Sequence, residues 1–365
     1  MPRDIKGDIQ QDIGHWVRPE IRALSAYHVP DPGACIKLDA MENPYRWPDA
    51  MVSAWLERLR DAPLNRYPDP SARRLQERLR ETMQVPRAMA VLLGNGSDEL
   101  IQMIMQTVAA PGRVILAPEP TFVMYRMIAQ VLGLKFAGVP LTDDFALDID
   151  AMLEAIDLHQ PAVVFLAYPN NPTGNLFDAA AVRRIITEAP GLVVVDEAYA
   201  AFAADSFMGA LGEFPNLLVL RTVSKMGLAG LRLGMLAGAP AWLAEIDKTR
   251  LPYNINVLTQ LSAEFALEHH AVLDAQTAQI RADRTTLLAA LKALPGLTVY
   301  PSAANFVLFR TPAGRATEIF NALRERHILI KNLSAAGGAL ADCLRVTVGT
   351  ADENVAFLTA LRAAL

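Results

Sequence analysis

The chain has 365 residues, 52% of them hydrophobic, and its 34 Lys and Arg against 39 Asp and Glu leave a formal charge of −5. That length suits about two domains of roughly 150 residues, and an acidic chain without a basic run interleaved with aromatics argues against a nucleic-acid partner. Cys35 and Cys343 are too few for a disulfide framework and lie in no metal-spaced motif.

The first stretch, MPRDIKGDIQQDIGHW, lacks the apolar run of a signal peptide. No segment approaches the roughly 18 apolar residues that cross a bilayer, so the expectation is a soluble, cytoplasmic protein without a membrane partner. From residue 90 onward short apolar runs alternate with helical patterns: AVLLG at 90–94, RVILA at 113–117, AVVFLAY at 162–168, LVVVDEA at 192–198, LLVLRT at 217–222 and LRLGMLAG at 231–238. Near-continuous β-branched and leucine runs of this kind predict an α/β fold with a mostly parallel sheet covered by helices on both faces. Residues 257–294 read as one long helix, with room for a kink, leading to a smaller unit. There the strands LTVYPS, NFVLFR and LRVTV and a helix through TEIFNALRERH predict an α+β domain. The expected division is a large domain over 45–275, with an N-terminal arm (1–44) and a small C-terminal domain (276–365). The adjacent His269 and His270 would diverge by about a hundred degrees on a helix and read as surface residues. No HxxxH or HExxH spacing occurs, so no metal site is expected.

Chemistry concentrates at the ends of the apolar runs. GNGSDEL at 94–100 follows a strand and opens an amphipathic helix, whose exposed N–H groups would hold a phosphate. Ser97 and Asp98 also suit helix capping. Glu99 stands where a dinucleotide fingerprint needs its third glycine, and no Walker-type GKS or GKT occurs, which removes support from a nicotinamide enzyme. YPNNPTG at 168–174 brings Asn171 to the carboxyl end of a buried strand, where ligands of open α/β sheets collect. In VVVDEAY, Asp196 ends such a strand and Tyr199 follows three residues on. TVSK at 222–225, with GLAGLRLG after it, places Lys225 behind small hydroxyl residues and ahead of Arg232. An imine-forming amine, a carboxylate for a pyridine nitrogen and a phosphate site together point to pyridoxal phosphate. Lys225 would supply the Schiff base, Asp196 would keep the ring nitrogen protonated, and Tyr199 with Asn171 would hydrogen-bond the phenolic oxygen.

The order GNGSDE, PEPTF, YPNNPTG, VVVDEAY, TVSK with GLAGLRLG, ANF and LRVTVGT resembles fold-type I aminotransferases of the histidinol-phosphate aminotransferase family over nearly the whole chain. RPEIRALSAYHVP, LDAMENPYRWP, NRYPDP and CLRVTVGT resemble that family in particular. The resemblance implies that Ser97, Asp98, Thr222, Ser224 and Arg232 bind the cofactor phosphate and that Phe122 stacks on its ring. It also implies that Tyr67 reaches the partner subunit's cofactor in a homodimer. Tyr27, Asn43, Lys331 and Arg345 would bind substrate, Tyr27 as a lid and Arg345 as the fork that grips an anionic tail. Lys331 replaces an arginine of some relatives, and Asp39 and Met41 stand where the family motif LNANENP has asparagines. The implied reaction is ping-pong transfer from L-histidinol phosphate to 2-oxoglutarate, giving imidazole-acetol phosphate and glutamate. The alternatives are an aromatic amino-acid aminotransferase and an amino-acid phosphate decarboxylase on the same scaffold. A non-catalytic regulator would need an added DNA-binding domain or a missing lysine.

Overall fold

The computed structural model describes residues 12–26 and 30–365. Its strands are β1 (Ile36–Lys37), β2 (Ala90–Asn95), β3 (Val114–Glu119), β4 (Lys135–Pro140), β5 (Val163–Ala167), β6 (Leu192–Asp196), β7 (Leu217–Thr222), β8 (Leu233–Gly238), β9 (Thr298–Val299), β10 (Phe306–Arg310), β11 (Ile328–Leu329), β12 (Lys331–Asn332) and β13 (Cys343–Thr347). Seven of them make one sheet in the order β2-β8-β7-β6-β5-β3-β4. All neighbours are parallel except β8, which runs antiparallel to both β2 and β7. The fold is therefore α/β with a large, mostly parallel sheet, as the apolar runs predict.

Alternation along each strand sends side chains to two separate cores. Val193 and Val195 of β6 join Val164, Leu166 and Val219 under the helices Arg73–Thr82, Ile149–His159 and Ala179–Glu188. Leu192 and Val194 join Phe165 and Leu220 on the opposite face, under Gly96–Val108, Met124–Val131 and Pro240–Asp247. Burial on both sides explains why these strands read as unbroken apolar runs. A third core gathers Leu38, Phe306, Phe309, Ile319 and Phe357 around an antiparallel sheet of order β12-β13-β10-β9. β1 pairs in parallel with β11 as a separate two-stranded sheet, and the Leu38 carbonyl beyond it accepts from the Thr347 N–H at 2.8 Å, which ties this segment to β13.

Three differences from the sequence reading have local causes. The run LRLGMLAG yields strand only from Leu233, because Ala229–Leu231 forms a tight turn and Arg232 takes a left-handed conformation at φ 48°. The long helix is two, Val257–Glu268 and His270–Lys292, broken at His269, where φ reaches −108°. His269 and His270 are both exposed. The edge strand β4 was not expected: its sequence KFAGVP is mostly accessible and carries no continuous apolar signal. Among the described residues no helix is long and apolar enough to cross a membrane.

The antiparallel β8 depends on close approach. A Cβ on Gly234 would lie 2.5 Å from the Gly96 carbonyl carbon and 2.8 Å from the Ser97 nitrogen, both backbone atoms that cannot step aside. Gly234→Ala is predicted to cost about 1–3 kcal/mol through overpacking. Gly209→Ala, with nothing within 4 Å of its added carbon, is predicted to fall within about 0.5 kcal/mol of the parent. Denaturant midpoints of the two variants check the contrast.

Candidate active site

Parallel strands deliver their following loops to one edge of the sheet, and the polar residues singled out above converge there. Ser97, Asp98, Phe122, Asn171, Asp196, Tyr199, Thr222, Ser224, Lys225 and Arg232 line a single cavity together with Met41. They come from the ends of several strands: Ser97 and Asp98 from the first turn after β2, Asn171 after β5, Asp196 and Tyr199 from the end of β6 and just beyond it, Thr222, Ser224 and Lys225 from the end of β7 and just beyond it. Ser97 and Asp98 lie inside the first turn, past the N-cap position at Asn95, and no side chain caps the helix; Glu99 reaches back and accepts the Asn95 N–H at 2.6 Å. Both side chains are left to the cavity.

One end of the cavity is built for an anion. Thr222 Oγ1 lies 2.8 Å from Ser224 Oγ, and the Arg232 guanidinium stands 3.3 Å from Asp98 Oδ2 beside the N-terminus of the thirteen-residue helix Gly96–Val108. Gly96, at φ 78°, makes that placement possible, since a Cβ there would lie 2.6 Å from Arg232 Nη2. At the other end Asp196 is buried, with the Ala198 N–H donating to Oδ1 at 3.1 Å and the Tyr125 hydroxyl donating to Oδ2 at 2.7 Å. Lys225 lies between, its Nζ 5.8 Å from the centre of the Tyr199 ring and donating to the Ala40 carbonyl at 3.3 Å.

A second cavity adjoins the first across Met41, Phe122 and Asn171, and it is lined by Lys331, Arg345, Glu119 and Arg126. Lys331 and Arg345 are register partners on β12 and β13. Arg345 is buried, donates from Nη2 to the Asp39 carbonyl at 3.1 Å, and donates from Nη1 to Asn171 Oδ1. Its guanidinium carbon lies 5.1 Å from the centre of the Phe306 ring.

Residues 34–361 match the family model for class I and II aminotransferases. The chain is 61% identical to histidinol-phosphate aminotransferase 2 of Nitrosococcus oceani, covering 96% of this chain and 98% of that one. It is 56% identical to histidinol-phosphate aminotransferase 2 of Cupriavidus pinatubonensis, covering 97% of each. The chain belongs to the class I and II aminotransferases. A solved histidinol-phosphate aminotransferase of Sinorhizobium meliloti in complex with pyridoxal-5′-phosphate superposes with a TM-score of 0.85 at 25% identity, covering 96% of this chain and 97% of the other.

Pyridoxal phosphate is the cofactor of this aminotransferase, and the donor set fits it. Hydroxyls, a guanidinium and free helix N–H groups suit a phosphate, a buried carboxylate suits a ring nitrogen, and the lysine between them suits the aldehyde carbon. Loss of bulk water, then the Arg345 and Arg232 charges, lowers the Lys225 pKa from 10.5 to about 8. Burial raises Asp196 to about 6, against the pull of its two hydrogen-bond donors.

The remaining expected residues fall elsewhere. Asn43 lines neither cavity: its Nδ2 donates to the Met226 carbonyl at 3.2 Å and to Gln276 Oε1 at 3.0 Å, bracing the turn behind Lys225. Tyr67 is 79% exposed and stacks on Tyr253 at 4.4 Å, outside both cavities of its own chain. Tyr27 lies outside the described residues. Asp39 meets Arg345 through its backbone carbonyl, so the change from asparagine leaves that contact in place; its carboxylate faces Lys37 Nζ at 3.3 Å. Met41 has φ 54°, a conformation asparagine tolerates better than methionine. Thr347 Oγ1 and Asn305 Nδ2 hold its backbone N–H and carbonyl, each at 3.0 Å. Sequence reasoning missed Tyr125. Its signal was its place three residues after Phe122, one helical turn along the segment that leads into the helix Met124–Val131.

An amine must be neutral to attack a carbonyl, so attachment of the cofactor to cofactor-free protein is predicted to accelerate with rising pH, with a midpoint near 8 instead of 10.5. Stopped-flow absorbance across pH 6–11 measures it.

Proposed function

We propose that this aminotransferase moves the amino group of L-histidinol phosphate to 2-oxoglutarate, giving imidazole-acetol phosphate and glutamate in histidine biosynthesis. The observation that carries the reading is the pair Arg345 and Lys331, opposite one another in register and lining the cavity next to Lys225. Both substrates present an anion away from the reacting carbon, a phosphate in one and a distal carboxylate in the other. A guanidinium fork pairs with either in turn, and the lysine adds a point charge that responds to total charge. Relatives named as histidinol-phosphate aminotransferases at 61% and 56% identity support the same reading.

When bound, pyridoxal phosphate supplies the electron sink that makes the substrate α-proton removable. The chain supplies position and proton transfer. Ser97, Thr222, Ser224 and Arg232 would hold the phosphate, Phe122 would cover one ring face, and Asp196 would hold the ring nitrogen. Asn171 and Tyr199 would orient the phenolic oxygen. With the cofactor bound, the Lys225 amine would be the group placed to take the proton from the substrate α-carbon and to give it back as a general acid, work worth about 10²–10⁴ in rate. The second half-reaction runs the same steps in reverse, so the kinetics are ping-pong.

The same reading makes the enzyme a cytoplasmic homodimer, with residues 45–275 as the cofactor-binding domain. Tyr67 and Tyr253 form an exposed aromatic pair, flanked by Leu64 and Leu251, which are 71% and 74% exposed. A second subunit would cover this patch and receive Tyr67 at its phosphate site. Mixing Lys225→Ala with Tyr67→Phe protein is predicted to restore part of the activity through hybrid dimers. No recovery, with subunit exchange confirmed by mass spectrometry, assigns each site to one chain.

For the substrate, single-turnover absorbance is predicted to show faster amination of the cofactor by histidinol phosphate than by phenylalanine. Arg345→Ala is predicted to slow both half-reactions by about one to two orders of magnitude, the worth of a charge-assisted fork. Lys331→Ala should impair histidinol phosphate more than phenylalanine. Faster reaction with phenylalanine in the parent enzyme would replace the proposal with the aromatic aminotransferase.

A further inference from the structure

The carboxylate at the end of β6 has a partner outside the cavity. Tyr125 is fully buried on the helix Met124–Val131 and its hydroxyl donates to Asp196 Oδ2 at 2.7 Å. The ring has no freedom to leave: it stacks on Phe165 at 4.7 Å and 18°, and meets the edge of Phe122 at 5.6 Å and 85°. Phe122 and Asp196 both line the cavity, and Tyr125 does not. Phe122, just before the helix, and Tyr125, in its first turn, therefore join one wall of the cavity to the back of the carboxylate.

We propose that Tyr125 is a positioning residue that keeps Asp196 ionised and aimed at the cofactor's ring nitrogen. A carboxylate in an apolar core reverts to the neutral acid unless donors stabilise the charge. The Ala198 N–H satisfies Oδ1 and the Tyr125 hydroxyl satisfies Oδ2. The two donors fix the plane of the carboxyl group and leave its remaining lone pairs toward the cavity. A phenol is suited to this place because burial beside Asp196 pushes its own ionisation well above the usual range, so it remains a donor throughout the working pH. Phenylalanine at 125 would preserve the stack on Phe165 and remove only the donor. The proposal rests on Asp196 as the partner of the ring nitrogen.

The test compares two cofactors, pyridoxal phosphate and its deaza analogue in which a C–H replaces the ring nitrogen. Dissociation constants are measured by fluorescence titration of the cofactor-free protein. Tyr125→Phe is expected to weaken pyridoxal phosphate about ten- to hundredfold, as loss of a hydrogen bond to a charged group does, and to leave the deaza analogue nearly unchanged. In an Asp196→Asn background the same substitution should have little effect on either, the signature of two residues acting through one contact. Equal weakening for both cofactors would reduce Tyr125 to a space-filling role and overturn the proposal, as would no weakening for either. If the parent protein does not distinguish the two cofactors, the assignment of Asp196 fails first, and Tyr125 with it. Site-specific 3-fluorotyrosine at 125 gives a stronger donor on a ring of nearly the same volume. It should move the ratio of the two constants opposite to Tyr125→Phe, which keeps the proposal open to refutation if the phenylalanine variant folds poorly.

Discussion

Asp196 ends β6 inside the protein, where removing a carboxylate from water costs several kcal/mol unless the charge is met by partners. Much of the molecule around it can be understood as meeting that cost. Strands on both sides bury Val194 and Phe165, which deprive the carboxylate of solvent, while the Ala198 backbone and the Tyr125 hydroxyl return two hydrogen bonds. Lys225 faces the complementary problem at the end of the neighbouring strand. Desolvation and two nearby arginines disfavour its charged form, which moves the amine toward the neutral state that attacks a carbonyl. A cofactor with a basic ring nitrogen at one side and an aldehyde beside it would relieve both, and its phosphate would take up the helix N–H groups and Arg232.

The sheet makes this economical. Asn171, Asp196 and Lys225 lie far apart in sequence, yet β5, β6 and β7 are consecutive parallel neighbours, so their carboxyl ends lie side by side. The antiparallel β8 then turns the chain back from Arg232 to pack against the start of the helix at Gly96. The two glycines at positions 96 and 234 are where backbone and guanidinium approach too closely for any side chain.

Much of this was legible in the sequence, and the exceptions have physical causes. Strands buried on both faces announce themselves as apolar runs, and the residues that end them are easy to name. Ten of the site residues share one cavity for that reason. The direction of β8 leaves no trace in its composition, and the exposed β4 has no apolar run to find. Tyr125 lies in an amphipathic segment where an aromatic residue is ordinary; only the tertiary contact with Asp196 distinguishes it. Asn43 sits in a motif suggestive of substrate, but Gly227, at φ 122°, lets its amide approach the turn behind Lys225 instead. Tyr67 reads as a site residue yet stands at the surface, stacked on Tyr253, and its proposed role depends on a second subunit.

The assignment of Lys225 as the residue that carries the cofactor bears the most weight. Borohydride reduction of active enzyme, followed by peptide mapping, addresses it directly. A single pyridoxyl group is expected on the peptide containing TVSK, absent from Lys225→Ala protein. An unmodified Lys225 in fully reduced, previously active enzyme would contradict it.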